Sequence, residues 1–333
     1  MDEYPSADLT VEDVQARVPA LSLSLSRVGV TSVEKVIRIR HNGVEQLFSA
    51  QLECYVDLGA RQKGAHMSRF EEVINDVIGE VVLGAVGLKA EHLAQRIAVE
   101  VRERQDVPRA EVTIAARYPE HKLAPVSGIT TQEIFTLLGS AVASERGTRR
   151  LVGVQAQGMT ACPCAQEIIT SRSRERLSED GFTDDEIERV FDAVPVATHN
   201  QRGLGTLYVG CPETCTDAIE ASRLLRIVED SMSSEIYELM KRSDEAEVVE
   251  KAHRRPRFVE DCVREMIRMA VDEYESLGEN VFLHARQENL ETIHHHNVVA
   301  ERHGLVGELA RELREDEHQL RHVSMREWLD GSV

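Results

Sequence analysis

The sequence predicts an α+β protein in which helices lie on antiparallel sheets, and three observations carry that expectation. Apolar and polar residues alternate over several stretches of strand length, the first pair joined across an Asn42-Gly43 turn signal. Segments with helical spacing separate these stretches. An order of strands, two helices and a strand occurs in the first half, and a similar order recurs in the second.

Taken in order, residues 1–20 are polar and acidic and read as a loosely held arm. Strands are expected at 21–28, 33–40 and 44–58, the last two forming a hairpin. Ser68 stands as an N-cap with Glu71 at the capping-box position, ahead of Phe70, Val73, Ile74, Val77, Ile78 and Val81 at helical spacing. A second helix is expected over 89–104 and a strand over 110–117. In the second half, strands at 136–144 and 150–157 flank Glu145-Arg146-Gly147, and helices follow at 165–177 and 183–194. An extended segment at 197–209 leads to a helix at 216–229. The clearest helix is 258–277, with Val259, Val263, Ile267 and Ala270 on one face. Segments 281–287 and 293–300 read as extended, and 306–330 as a charged amphipathic helix whose Leu309, Leu313, Leu320, Val323 and Trp328 cover the body.

At 333 residues the chain has room for two domains, and a 42% hydrophobic share supports real cores. No run approaches a membrane span and the acidic start is unlike a signal peptide, so a cytoplasmic protein with no membrane partner is expected. The net charge is -19, and only six of 39 basic residues are lysine. Such a surface disfavours nucleic acid as a partner. Abundant acid with scarce lysine also resembles proteins of salt-loving cytoplasms, where screening tolerates self-repulsion.

The stretch with the most chemistry is Gly158-Met159-Thr160-Ala161-Cys162-Pro163-Cys164-Ala165, which runs from a strand-like segment into a helix-like one. A helix start gathers backbone donors and a positive field that favours thiolate, which makes Cys162 a candidate ligand or nucleophile. Its bland alternative is a small buried hydrophobe. The spacings C-x-C (162, 164) and C-x3-C (211, 215) read more naturally as metal or redox chemistry than as a disulfide framework.

The ordered motifs resemble one family closely, the prokaryotic type IB GTP cyclohydrolases with their archaeal MptA-type branch. The resemblance is carried by Val28-Gly29-Val30 with Val36-Ile37-Arg38-Ile39, by Lys63-Gly64-Ala65-His66-Met67-Ser68-Arg69-Phe70, and by Met159 through Ala165. It continues through Thr198-His199-Asn200-Gln201-Arg202, Ser234-Glu235-Ile236-Tyr237, Lys241-Arg242-Ser243-Asp244-Glu245, Pro256-Arg257-Phe258-Val259-Glu260-Asp261 and Ile293-His294-His295-His296-Asn297. What the resemblance implies is a bimodular tunnelling fold, each module an antiparallel sheet carrying two helices, assembled into a homo-oligomer (dimer or tetramer) with active sites at module or subunit junctions. The corresponding segmentation is an arm at 1–20, a first module at 21–125, a second at 126–305 with a helical insertion at 165–198, and a C-terminal helix at 306–333. The implied reaction opens the guanine ring of GTP at C8, releases formate and closes a dihydropterin. The archaeal branch yields 7,8-dihydroneopterin 2',3'-cyclic phosphate and diphosphate with Fe(II); the bacterial siblings yield the triphosphate. The long insertion and the acidic composition lean archaeal.

By motif match, Cys162, His199 and Glu235 are the expected metal ligands, with Cys164 close by as a neighbour, occasional ligand or redox partner. A thiolate, imidazole and carboxylate set with one open position suits Fe(II), Zn(II) or Mn(II). His294 and His296, two apart on a strand-like segment, would face one side and serve proton transfer or metal contact. Glu250 is the expected carboxylate for the purine N1–H and exocyclic amine. Lys63, His66, Arg69, Arg202, Lys241 and Arg242 are the cations available to a triphosphate, with no P-loop present. Two other readings compete. A nitrile reductase of the queuosine pathway shares the fold but needs a cysteine free of metal. A non-catalytic protein would use Cys162, Cys164, Cys211 and Cys215 as a closed structural zinc site.

Overall fold

A computed structural model describes residues 13–41, 43–83, 89–212, 219–315 and 321–332. The chain alternates strands and helices as β1 (Leu25–His41), β2 (Val44–Leu58), α1 (Met67–Leu83), α2 (Ala90–Gln105), β3 (Arg109–Leu123) and β4 (Thr130–Ser144). It continues with β5 (Gly147–Ala161), α3 (Pro163–Glu179), α4 (Asp184–Ala193), β6 (Asn200–Cys211), α5 (Ala221–Ser231), α6 (Arg242–Arg254) and α7 (Val259–Tyr274). The last elements are β7 (Phe282–Leu290), β8 (Val298–Leu305), α8 (Val306–Glu315) and α9 (Met325–Leu329). Among the described residues the eight strands form one antiparallel sheet in sequence order. The α+β class is therefore as the periodicity required.

One face of the sheet carries the helices. Leu52, Cys54 and Val56 of β2, Val112 and Ile114 of β3, and Val152 and Val154 of β5 alternate onto it, where they meet Phe70, Ile74 and Val77 of α1, Leu93 and Ile97 of α2, and Leu224, Met266 and Ala270 of α5 and α7. Period two in the strands and period 3.6 in the helices put these residues on one surface, and their burial from water stabilises the layer. The opposite face holds a smaller cluster, where Val142, Leu151 and Phe282 lie under Trp328 and Leu329 of α9. At Gly210 a Cβ would stand 2.6 Å from the Trp328 ring, so the strand must be bare there for the indole to seat.

The Asn42-Gly43 signal is matched by the pairing of His41 with Val44 and by Gly43 at φ 78°, although residue 42 itself lies outside the described residues. Several expectations need correction. The strands expected at 21–28 and 33–40 are one strand, β1, whose register slips between Val30 and Val33 where Ser32 takes φ 56°; a bulge interrupts the alternation without ending the strand. Helix α1 begins at Met67, which puts Ser68 inside its first turn rather than at the cap. The helix expected at 216–229 begins at Ala221, and 216–218 lie outside the described residues. Helix α6 was not expected at all, because only Asp244, Val248, Ala252 and His253 turn inward and its apolar stripe is too narrow to read.

The extended segment expected at 293–300 starts only at Val298; residues 292–296 form bends, since a histidine run beside an exposed Ile293 offers no alternating apolar face to bury. Residues 306–330 are not one helix. α8 ends at Glu315, residues 316–320 with Leu320 are not described, and α9 starts afresh behind Ser324, which closes a capping box with Glu327. Leu309 and Trp328 are buried and Val323 packs beside them, so this region covers the body, while Leu313 stays exposed.

Candidate active site at the end of β5

The pairings orient the sheet with two distinct ends. Leu58, Arg109, Ser144, Gly147 and Cys211 mark one end, and Leu123, Ala161, Asn200 and Leu290 the other. Cys162 leaves β5 at the second end and is the N-cap of α3, with Pro163 in the first turn. Proline there loses no helical hydrogen bond and fixes the exit of the chain. The Cys162 N–H donates to the His199 carbonyl at 3.1 Å, and Thr198 Oγ1 donates to the Cys162 carbonyl at 2.9 Å. Two main-chain segments far apart in sequence are thus locked side by side just past the last ladder pair, Ala161 with Asn200.

Glu235 arrives by a different route. Beyond Gln155 the strand β4 no longer pairs with β5, and Ser234 takes its place in an isolated bridge with Met159, with N–H···O distances of 2.8 and 3.1 Å. Ser233 Oγ accepts from the Ala161 N–H at 3.1 Å, and the Arg257 N–H donates to the Ala161 carbonyl at 3.0 Å. The Arg257 guanidinium is anchored in turn on the carbonyls of Asp230 and Ser231.

The side chains at this end are organised by second partners. His199 Nδ1 lies 3.0 Å from Gln201 Oε1; with the ring proton on that nitrogen, the Nε2 lone pair faces outward. Glu291 Oε2 stands 3.9 Å from the same Nδ1. Glu235 is half-buried, which pushes its carboxyl up, but the Lys251 ammonium at 2.6 Å outweighs burial and holds it below the usual carboxylate range. Nearby Glu229 is pushed up by burial against the pull of Lys122. His253 of α6 places its ring nitrogens 2.8 Å from the Val249 carbonyl and 3.3 Å from that of Thr198, tying α6 to the His199 segment.

Cys162 is half-buried and Cys164 exposed, both as free thiols. The ligand atoms of Cys162, His199 and Glu235 do not all come within 4.8 Å of one another; among the described residues the one trio that does is His284, Glu301 and His303. Cys211 is disulfide-bonded, and a disulfide sulfur is no thiolate ligand, which removes the four-cysteine zinc arrangement as read from the spacing; Cys215 lies outside the described residues.

The connection 291–297 carries His294 and His296, both exposed, with rings stacked at 5.2 Å. Their rings meet across a bend, and the strand that was expected to turn them to one side is absent at 292–296. Thr292 Oγ1 donates to the Asn200 carbonyl at 3.1 Å and stitches this connection to the Cys162 end. Arg202 lies on β6 with one amino group 3.5 Å from Gln157 Oε1. Lys241 caps α6, whose first residue is Arg242. Glu250 is exposed on α6 and ion-paired to Arg254 at 2.8 Å. Arg254 lines an open groove of about 380 Å³ with Gln166, Phe191 and His253, beginning one turn of α3 beyond Cys162.

Lys63, His66 and Arg69 are elsewhere. They follow β2 at the opposite end of the sheet, where the Lys63 N–H donates to Gln15 and Arg17 carbonyls, His66 Nε2 lies 3.1 Å from Asp13 Oδ2, and Arg69 donates to the Arg104 carbonyl. One chain does not bring them to Cys162.

Reading by sequence missed Gln201, Lys251, His253, Arg257 and Glu291. Gln201 was findable, since a residue two beyond His199 on a strand shares its face. The others meet the site only through tertiary pairing.

The model of the family described as type I GTP cyclohydrolase folE2 matches residues 11–300. The chain belongs to that family. Among its relatives are the GTP cyclohydrolase MptA of Methanococcus maripaludis, 41% identical over 91% of this chain and 98% of the relative, and that of Methanothermobacter thermautotrophicus, 41% identical over 91% and 96%. MptA of Methanocaldococcus jannaschii is 39% identical over 90% and 97%. A solved hyper-thermostable AgUricase mutant shares the fold at a TM-score of 0.51, with 10% identity over 93% of this chain and 98% of that one.

Proposed function

We propose that this cyclohydrolase opens GTP at C8 and yields formate, diphosphate and 7,8-dihydroneopterin 2',3'-cyclic phosphate, as a step of archaeal pterin biosynthesis. The observation that carries the reading is the pairing of Cys162 with His199 at the open end of β5 in a chain matching the family over residues 11–300. The same reading makes the chain a bimodular tunnelling-fold homo-oligomer in the cytoplasm, with modules at 21–125 and 126–305.

The donor set at this end fits a divalent metal. Cys162 is a free thiol at a helix start, His199 presents one nitrogen because Gln201 occupies the other, and Glu235 is ionised. Cys162, His199 and Glu235 would hold Fe(II), with Zn(II) or Mn(II) as alternatives; the metal, when bound, supplies a water acidic enough to attack at neutral pH. Lys251 meanwhile neutralises Glu235 and keeps it in place.

Around that position, His294 and His296 accept and return protons as the ring opens, and Cys164 stands ready as a neighbouring thiol. Glu250 receives the purine N1–H and amine once its Arg254 partner yields to substrate. Arg202, Lys241 and Arg242 face the phosphates from the same end. Lys63, His66 and Arg69 join them from a neighbouring copy, because their own chain places them at the far end of its sheet.

The test is an anaerobic assay of purified protein with Fe(II) and GTP in high salt, with products identified by mass spectrometry beside a Cys162→Ala control. Formate with the cyclic phosphate is expected. A triphosphate product would move the chain to the bacterial type, and full activity of Cys162→Ala would overturn the site.

A further inference from the structure

A second group of metal-binding side chains lies away from Cys162. In the β7–β8 ladder His284 sits directly opposite His303, and Glu301, two residues earlier on β8, shares the same face. The two imidazoles meet edge to face with centroids 5.7 Å apart, and His284 Nε2 is 3.7 Å from Glu301 Oε2. One ligand atom from each of the three lies within 4.8 Å of the others. The trio is on the face opposite the main helical layer, near Phe282 and Trp328, and His284 pairs with Tyr208 of β6. Tyr208 is nine positions from His199, which at strand rise separates the two places by roughly 30 Å.

Two properties make this more than a polar patch. Both ring nitrogens of His284 are buried without a hydrogen-bond partner, since 3.7 Å to Glu301 is beyond hydrogen-bond reach. A buried imidazole left so is costly unless something binds its lone pair. Tyr208 stacks on His284 at 6.1 Å and holds its plane. The charged groups around the pair are Arg286, Arg302, Glu327 and His322. Arg286 is already paired with Glu288 and Arg302 with Glu312. His322 has its own Nδ1 buried without a partner.

We propose that His284, His303 and Glu301 form a second divalent-cation site, of the kind that takes Zn(II) or another first-row transition ion, clasping the edge strand β8 to β7 beneath the C-terminal segment. Two imidazoles and a carboxylate are a common donor set for such ions.

The experiment uses full-length protein stripped with chelator and reloaded with Zn(II), with bound metal counted by mass spectrometry after desalting. In a Cys162→Ala, His199→Ala background, which removes the proposed catalytic ligands, about one equivalent should remain. Adding His303→Gln or Glu301→Gln should take it to near zero, with circular dichroism reporting that the fold persists. Zn(II) should raise the melting temperature of the background variant and leave that of the His303→Gln form unmoved. Retention of the equivalent in both added variants would overturn the proposal, as would a background protein that binds no Zn(II). Neither result bears on turnover of GTP, which the assay above measures separately.

Discussion

Gln201 shows how much of a metal site depends on the residue behind the ligand. Its side-chain oxygen, 3.0 Å from His199 Nδ1, selects the ring nitrogen that remains free. Gln201→Leu should therefore keep the fold and weaken Fe(II) binding by about 10–100-fold, read by metal titration of the apoprotein. An unchanged affinity would mean that His199 is oriented by its backbone alone. Lys251 makes a contrasting case, because it holds Glu235 ionised from beside it. Lys251→Met should leave the carboxylate half-buried without its partner and shift its pKa upward, so that metal loading falls off at a higher pH than in the wild type. The motif reading picked out Cys162, His199 and Glu235, whose segments run near the end of β5 without bringing all three ligand atoms within 4.8 Å of one another. It could not see Lys251 or Glu291, whose places beside those residues come from α6 and the β7–β8 connection.

Among the elements, α6 is attached by one carboxylate. Asp244 accepts from the N–H groups of Val126 and Ser127 at 2.8 Å, from Ser127 Oγ at 2.6 Å and from the Lys241 N–H at 2.8 Å, joining the helix start to the β3–β4 turn. Burial pushes this carboxyl up, but the four donors hold it well below the carboxylate range. A depressed folded pKa means the stabilisation is fully present above the unfolded value near ~4 and is lost as pH falls through the folded one. Denaturant titrations should show Asp244→Asn less stable than wild type at pH 7, with the gap closing as the pH is lowered beyond ~4. At the other end of the molecule α9 acts through Trp328, which stacks on Phe282 at 5.7 Å and donates to the Asn280 carbonyl at 3.1 Å. Trp328→Ala should cost about 3–5 kcal/mol in the same measurement. The capping box at Ser324 breaks the single helix expected over 306–330, and α6 was not expected at all, because its docking is polar and its apolar stripe narrow.

Over the whole molecule the two clusters of family motifs lie at opposite ends of one sheet. Lys63, His66 and Arg69 follow β2, and Cys162 and His199 stand where β5 and β6 end. If sites are completed between copies, two inactive variants should complement each other. Mixing unfolded Arg69→Ala and Cys162→Ala proteins in equal amounts and refolding them together should restore about a quarter of wild-type turnover in a two-fold assembly. Activity no higher than that of either variant alone would place each site within one chain.

The sequence by itself determined the α+β class, most strand and helix positions, the Asn42-Gly43 hairpin and the family. These are local properties, since alternation, helical spacing, turn residues and motif order are all written in neighbouring residues. Only the tertiary structure decided that 25–41 is one bulged strand, that His294 and His296 meet through a bend, and that Ser234 replaces β4 beside β5. It alone set His284 against His303 and parted Lys63 from Cys162. Each of those depends on strand register across residues distant in the chain, which is set by how the whole sheet buries its face against the helices.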